Sequence, residues 1–292
     1  TMELNCNVTT DVSLPFRGFT GTYTWSDGET GTITATDSST PNIPVKTLTA
    51  GTTYKIDLEG TFPTMSSVNT ASQACIISLD QWGDSGVTNL TYAFASTPKL
   101  VTVVAPPTTV TTMTRAFNSS AYNGPEVSSW DMSHVTDASF MFSAAANFNQ
   151  PLNNWDVSNI SNMNAMFSYA TVFNQPLDNW DVSNVTNMAS MFAYTAFNQP
   201  TGNWNTSNVT NMSAMFYRAT AFNQPLDNWD TSRVTNMASM FYNTSAFDQT
   251  LDSWNTSNVT NMSAMFQQAN FNQSIGNWDT SRVTNMSNMF RN

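Results

Sequence analysis

The chain has 292 residues, of which 10% are charged, and a formal net charge of −11. Because nucleic-acid binding depends on neutralising phosphates with Lys and Arg, this balance argues against a nucleic-acid partner. No run of about 18 apolar residues occurs, so nothing in the chain is expected to insert into a membrane. Asn, Thr and Ser supply most of the polarity, a composition typical of extracellular and cell-surface proteins.

Residues 1–75 carry no trace of the repeat that follows, and they predict a separate all-β domain. Residues 20–25 and 53–59 alternate polar and apolar side chains, and Ser26-Asp27-Gly28 is a turn signal. The segments TYTWSDGET and TLTAGTTYKIDLEG resemble strands of bacterial surface domains of the PKD or immunoglobulin-like type, although Ser26 stands where those domains usually carry Gly. The resemblance implies a small antiparallel sandwich.

Cys6 and Cys75 are the two cysteines of the chain, and they bracket this first region. A disulfide between them would stabilise the fold by about 4 kcal/mol in the chain-entropy treatment. The alternative is a pair of buried thiols. The chain opens at Thr1-Met2 with no charged segment and no apolar segment, so we expect a removed signal segment or a fragment of a longer protein.

Residues 76–292 repeat a unit of 24 or 25 residues, which predicts a solenoid of about nine rungs. One tryptophan marks each regular rung. These tryptophans are Trp130, Trp155, Trp180, Trp204, Trp229, Trp254 and Trp278. Two degenerate rungs precede them, at residues 82–94 and 110–122, and we expect this pair to cap the stack against the first domain.

Each rung contains two segments of different character. The segment Val-x-x-Met-x-x-Met-Phe spaces apolar residues at i, i+3, i+6 and i+7, which predicts a short helix. The segment Phe-Asn-Gln-Pro-Leu-x-x-Trp predicts a short parallel strand that begins near its proline. The expected fold class is therefore an α/β leucine-rich-repeat-like solenoid behind a PKD or immunoglobulin-like sandwich. Its predicted core holds the seven tryptophans with Met163, Met188, Met212, Met237, Met262 and Met286.

The same two segments resemble the 25-residue repeat of BspA-like leucine-rich-repeat surface proteins, a repeat type also found in mycoplasma surface lipoproteins. The resemblance covers residues 82–292. It implies a surface adhesin or interaction protein with a β-domain ahead of the repeats. It supplies no catalytic residues and no fixed ligand.

Carboxylates recur directly after the tryptophans and are the candidate metal ligands. They are Asp131, Asp156, Asp181, Asp230 and Asp279. Stacked in a column, they could share calcium through their oxygens. Alternatively, each accepts hydrogen bonds from backbone or Ser groups at a turn, a role that Asn205 and Asn255 could fill equally. Because Asn replaces Asp in these two rungs, the second interpretation is favoured and no cofactor is expected.

Other polar positions give structural interpretations. The asparagines of Val-Thr-Asn-Met and of Phe-Asn-Gln-Pro are predicted to form internal ladders between rungs. His134 is the single histidine and occupies a variable position, so we interpret it as a surface residue. With no phosphate loop, zinc motif or catalytic constellation in the sequence, we do not expect an enzyme.

The leading functional hypothesis is an extracellular adhesion protein that binds a host or matrix protein, a glycan, or copies of itself. The exposed residues expected to form its binding face are Asp178, Asn203, Asp227 and Asp252, together with the aspartates that follow the tryptophans. The alternative is a structural subunit of a fibre, appendage or virion. Ice binding through Thr206, Thr231, Thr256 and Thr280 is weakened because Val157 and Val182 interrupt that column.

Overall fold

The computed structural model describes residues 1–35, 37, 43–66 and 71–291. Ten strands and two 3-10 helices, Ala71–Ala74 and Pro125–Ser129, are its regular elements within those ranges. The strands are β1 (Met2–Asn5), β2 (Thr10–Val12), β3 (Phe16–Arg17), β4 (Thr20–Trp25), β5 (Thr30–Ile33), β6 (Lys46–Leu48), β7 (Thr53–Thr61), β8 (Thr64–Met65), β9 (Ile76–Leu79) and β10 (Thr102–Val103).

The strands form a six-stranded sheet of order β10-β9-β1-β7-β4-β5 and two small sheets, β2-β6 and β3-β8. All neighbours are antiparallel except β9 and β10. The alternation in β4 buries Tyr23 and Trp25, as its pattern predicts. Gly21 and Gly60 face each other across β4 and β7, where a Cβ on either would lie 2.1 Å from a backbone oxygen of the other strand.

A disulfide joins Cys6, just after β1, to Cys75, just before β9. The six-stranded sheet extends beyond residue 75, since β9 and β10 belong to it. In sequence, β10 lies between the two degenerate rungs. A segment of the repeat region therefore forms the last strand of the six-stranded sheet. The buried apolar residues of both regions form one continuous cluster.

The repeat units stack through one parallel bridge residue per rung. These bridges run in series from Thr64 of β8 through Asn89, Thr112, Asp137, Asn162, Asn187, Asn211, Asn236, Asn261 and Asn285. The first rung therefore stacks directly on the β3-β8 sheet. The first region covers this end of the stack, where the sequence predicted a cap.

The predicted fold class is wrong, because the described part of the chain contains no α-helix and no strand longer than a bridge in the regular rungs. The segment expected to be helical is a series of turns. In one rung the N–H groups of Met163, Ala165 and Phe167 donate to carbonyls of the next rung at 2.8–3.0 Å. The N–H groups of Met166 and Ser168 instead donate three residues back. Alternate donors thus leave the rung, which an α-helix does not allow.

Backbone dihedrals explain this departure from a helix. The third and seventh residues after each bridge residue from Asn89 to Asn261 have positive φ, as at Ala165 (52°) and Tyr169 (61°). A positive φ reverses the chain between turns and directs the N–H group towards the neighbouring rung. The apolar spacing of the segment is nevertheless the predicted one, and Ile160, Met163 and Met166 are fully buried.

Tryptophan and phenylalanine columns fill the interior. Neighbouring indole rings of the regular rungs lie 6.3–6.4 Å apart from Trp155 to Trp278. Each indole N–H from Trp155 onward donates to a carbonyl of the preceding rung, for example Trp180 Nε1 to Leu152 at 2.8 Å. Of the predicted core residues, Met286 is 44% exposed because no further rung covers it in the described structure.

Candidate interaction surface

The aspartates that follow the tryptophans all lie exposed at turns. Asp131 Oδ1 accepts hydrogen bonds from the Ser133 hydroxyl and N–H, at 2.6 and 3.0 Å. Asn205 and Asn255 accept the same N–H bond in their rungs. Bonds from the serine two residues on lower the pKa values of Asp131, Asp181, Asp230 and Asp279. Among the described residues, no group of three metal-ligating side chains comes together.

The four residues expected to form the binding face lie in successive rungs of the stack. Asp178 accepts a bond from Asn153, and Asp252 accepts two from Asn277. Asn203 and Asp227 are exposed. Asp178 and Asp252 thus link successive rungs. His134 is half-exposed, with Nε2 at 3.9 Å from Asp131 Oδ2.

The asparagines of Phe-Asn-Gln-Pro form a ladder inside the stack. Asn149 Oδ1 accepts the N–H of Asn174, Asn174 that of Asn198, and Asn198 that of Asn223, all at 2.9 Å. Three threonines of the column Thr206, Thr231, Thr256 and Thr280 are also internal, while Thr280 is exposed. Thr206, Thr231 and Thr256 are buried, and their hydroxyls donate to carbonyls of the next rung.

A column of four tyrosines, which we call the tyrosine column, stands out on the surface: Tyr169, Tyr194, Tyr217 and Tyr242. Their ring centroids are 4.1, 5.3 and 4.6 Å apart over four successive rungs. Tyr169 is 48% exposed, and the other three are half-buried. Each follows a buried Met-Phe pair by one or two residues, so the rigid core fixes its position.

The tyrosine rings lie closer together than the buried indole rings. Ring centroids are 4.1–5.3 Å apart in the tyrosine column and 6.3–6.4 Å apart in the indole column. The four tyrosine side chains therefore lie against one another along the surface of the stack.

Arg218 lies over the tyrosine column. Its guanidinium carbon is 5.6 Å from the ring centroid of Tyr194 and 5.9 Å from those of Tyr217 and Tyr242. At such distances a guanidinium is attracted by the ring faces. The neighbouring hydroxyl of Tyr169 lowers the pKa of Tyr194, and that of Tyr194 raises the pKa of Tyr169. The tyrosine hydroxyls and Arg218 thus lie close enough to influence one another.

A second arginine is held in the same way nearer the start of the stack. Arg115 lies 4.1 Å from the ring centroid of Phe140 and 5.5 Å from that of Tyr92. All three residues occupy the third position after a bridge residue. No carboxylate among the described residues forms an ion pair with Arg115 or Arg218.

A cavity of about 530 Å³ opens between the six-stranded sheet and the first rung. Phe62 and Trp82 contribute apolar surface, and the exposed Glu59 and Asp84 contribute carboxylates. None of the buried polar atoms that lack a hydrogen-bond partner in the described structure lines it. The tyrosine column is therefore the stronger candidate for a functional surface.

The described part of the chain holds no helix with the length and apolarity needed to cross a bilayer. A family model described as "Mycoplasma protein of unknown function, DUF285" matches residues 106–199 and 192–292, more than half of the chain. No curated protein and no solved structure matches. The match confirms a mycoplasma-type repeat, while the finer resemblance to BspA-like proteins stays a prediction.

Proposed function

The chain belongs to the DUF285 family of Mycoplasma proteins of unknown function, and from this premise we propose that it is a non-catalytic interaction protein of the cell exterior. The observation that carries the proposal is the tyrosine column around Arg218. Tyr and Arg are enriched in the cores of binding interfaces and among residues that dominate binding energy. A tyrosine also loses little conformational entropy on binding.

Two further features support this proposal. Stacked repeats present an extended surface of the kind that repeat proteins use for binding. The disulfide between Cys6 and Cys75 suits an oxidising, extracellular location. Adhesion, in the sense of holding the cell to a host or matrix molecule, is the role these features fit.

The test is a binding array of matrix proteins and glycans, probed with the full chain and with a variant carrying Tyr169→Asn, Tyr194→Asn and Tyr217→Asn. Asn118 occupies the same repeat position as Tyr217, and Asn243 the same position as Tyr169 and Tyr194. Because asparagine is already accommodated at both positions, the stack should keep its fold. We expect the variant to lose the wild-type array signal.

The matched control changes the acidic edge instead, through Asp178→Asn and Asp227→Asn. This control should bind as the wild type does. Loss of signal in the control alone would place the binding face on the acidic edge and contradict the proposed surface. An array with no wild-type signal would contradict the proposed function.

A further inference from the structure

We propose that the tyrosine column and Arg218 form a binding site for a carboxylate-bearing polysaccharide, one built from uronate sugars. This inference rests on the proposed function and specifies the partner of the same surface. Its first support is the environment of the Arg218 guanidinium. Arg218 is exposed, lies over three tyrosine rings and pairs with no described carboxylate, although the chain has 20 acidic residues.

Arg218 differs from Arg233 and Arg282 in the groups that hold its guanidinium. Arg233 donates to Asn208 Oδ1 and Arg282 to Asn258 Oδ1, each at 2.7 Å. The Arg218 guanidinium is oriented by aromatic rings instead. A planar guanidinium oriented in this way retains N–H groups that suit a carboxylate in two-point contact. The tyrosines also reduce the entropy that Arg218 would lose on binding.

The charge of the surroundings selects an anion. The third, sixth and seventh positions after the bridge residues contain no Asp or Glu in any rung. This strip is thus free of acidic side chains in a chain of net charge −11. Arg115 stands at the third position after its bridge residue, four rungs from Arg218, or roughly 19 Å along the stack at the usual spacing of parallel strands. Two clamped arginines at that separation suit a linear ligand that carries repeated carboxylates.

The form of the strip favours a polysaccharide over an acidic peptide. Backbone N–H groups along the turns are already bonded to the next rung, so a peptide finds no open strand edge there to extend. The tyrosines present hydroxyls and ring edges, which suit a ligand rich in hydroxyl groups. Ala144 precedes Tyr169 in its column, and this small residue leaves the outer face of the Tyr169 ring open to a sugar ring.

The experiment is calorimetric titration of the full chain with polygalacturonate at low and high salt. Wild-type protein should bind, and binding should weaken with salt. Arg218→Gln should reduce the affinity about ten-fold or more, because it removes a charge-assisted contact. The matched control, Arg233→Gln, alters an exposed arginine outside the strip and should bind as the wild type does. Thermal unfolding checks that each variant is folded.

Two other polymers complete the test. Methyl-esterified polygalacturonate keeps the sugar and removes the charge, so it should bind much more weakly. Binding of polyglutamate with equal or higher affinity would overturn the inference in favour of an acidic peptide. Equal binding of the ester, or an unchanged affinity of Arg218→Gln, would also overturn it. If polygalacturonate fails to bind while the tyrosine variant still loses the array signal, this inference fails and the proposed function stands.

Discussion

Residues with positive φ are the smallest unit on which the fold depends. Most of those in the rungs are not glycine, and they include Arg115, Phe140 and Tyr194. A side chain in this region costs roughly 1–2 kcal/mol. The cost is offset because these residues, up to Gln268, donate their N–H groups to the next rung, as Ala214 does to Ala238 at 2.8 Å. Tyr169 and Tyr194 have this geometry themselves, whereas Tyr217 and Tyr242 each directly precede a residue that has it.

Ala214→Gly should therefore stabilise the protein, by up to about 1 kcal/mol, because glycine adopts φ near 54° without steric cost. Ala214→Val should destabilise it, since a β-branched residue is strained there. Denaturant unfolding measures both. In an α-helix the glycine variant would instead lose about 1 kcal/mol, so a destabilised Ala214→Gly would contradict the turn structure.

The lowered pKa values of Asp131, Asp181, Asp230 and Asp279 make stability depend on pH. A carboxyl with a lower pKa in the folded than in the unfolded state stabilises the fold fully above its unfolded value of about 4. That contribution is lost as the pH falls through the lowered folded value. We expect the unfolding free energy to decrease on acidification below about pH 4.

The control replaces these four aspartates by asparagine, which accepts the same bond at Asn205 and Asn255. Its unfolding free energy should fall less steeply in acid. An identical acid dependence of wild type and variant would show that other carboxyls are responsible.

The rung, as the repeating element, was partly predictable from sequence. Its period and its buried Met-Phe pairs follow from spacing alone. The parallel strand predicted in Phe-Asn-Gln-Pro-Leu-x-x-Trp is wrong, because the bridge residue lies in Val-Thr-Asn-Met instead. The predicted helix is likewise wrong, because apolar residues at i, i+3, i+6 and i+7 also suit successive turns of three residues. Whether N–H groups bond within the rung or across to the next depends on φ values that contacts between rungs impose. A single unit therefore lacks that information.

The tyrosine column was not predicted from the sequence, for a related reason. Tyr169 and Tyr194 occupy the seventh position after the bridge residue, whereas Tyr217 and Tyr242 occupy the sixth. In sequence they are different positions of the repeat, and only the folded turn brings them into one column. The available signal was a tyrosine within two residues of Met-Phe in four consecutive rungs.

Indole hydrogen bonds connect each rung to the preceding one. Trp229→Phe should cost about 2–3 kcal/mol, because it removes ring area and the indole N–H that donates to the buried Thr201 carbonyl at 2.9 Å. That carbonyl then keeps only the N–H of Trp204. Trp130→Phe is the matched control, since Trp130 is equally buried but its Nε1 has no partner. We expect Trp130→Phe to cost clearly less in denaturant unfolding. Equal costs would mean that the indole hydrogen bonds contribute nothing.

At the scale of the molecule, the first region and the stack are built as one body. β8 begins the series of bridges and β10 completes the six-stranded sheet. Glu126 strengthens this junction, because its carboxylate accepts the N–H of Val103 in β10 and the hydroxyl of Tyr122. Burial raises the pKa of Tyr122, so that phenol stays a donor. Assembly into a fibre remains a prediction.

Reduction of the disulfide should destabilise the first region by about 4 kcal/mol, given the 69-residue separation of Cys6 and Cys75. Thermal unfolding with and without reductant measures the effect, and a Cys6→Ser, Cys75→Ser variant should show no response to reductant.

Because the rungs are nearly identical, a rung can stack on a copy other than its native neighbour. A chain emerging from denaturant can join rung to rung with one copy skipped, and the resulting contacts closely match the native ones in chemistry. Such misregistered species would refold slowly, since whole layers must separate before they can be corrected. The β8 bridge to Asn89 provides the unique starting point. Detaching that start should multiply trapped forms, even where final stability is little changed.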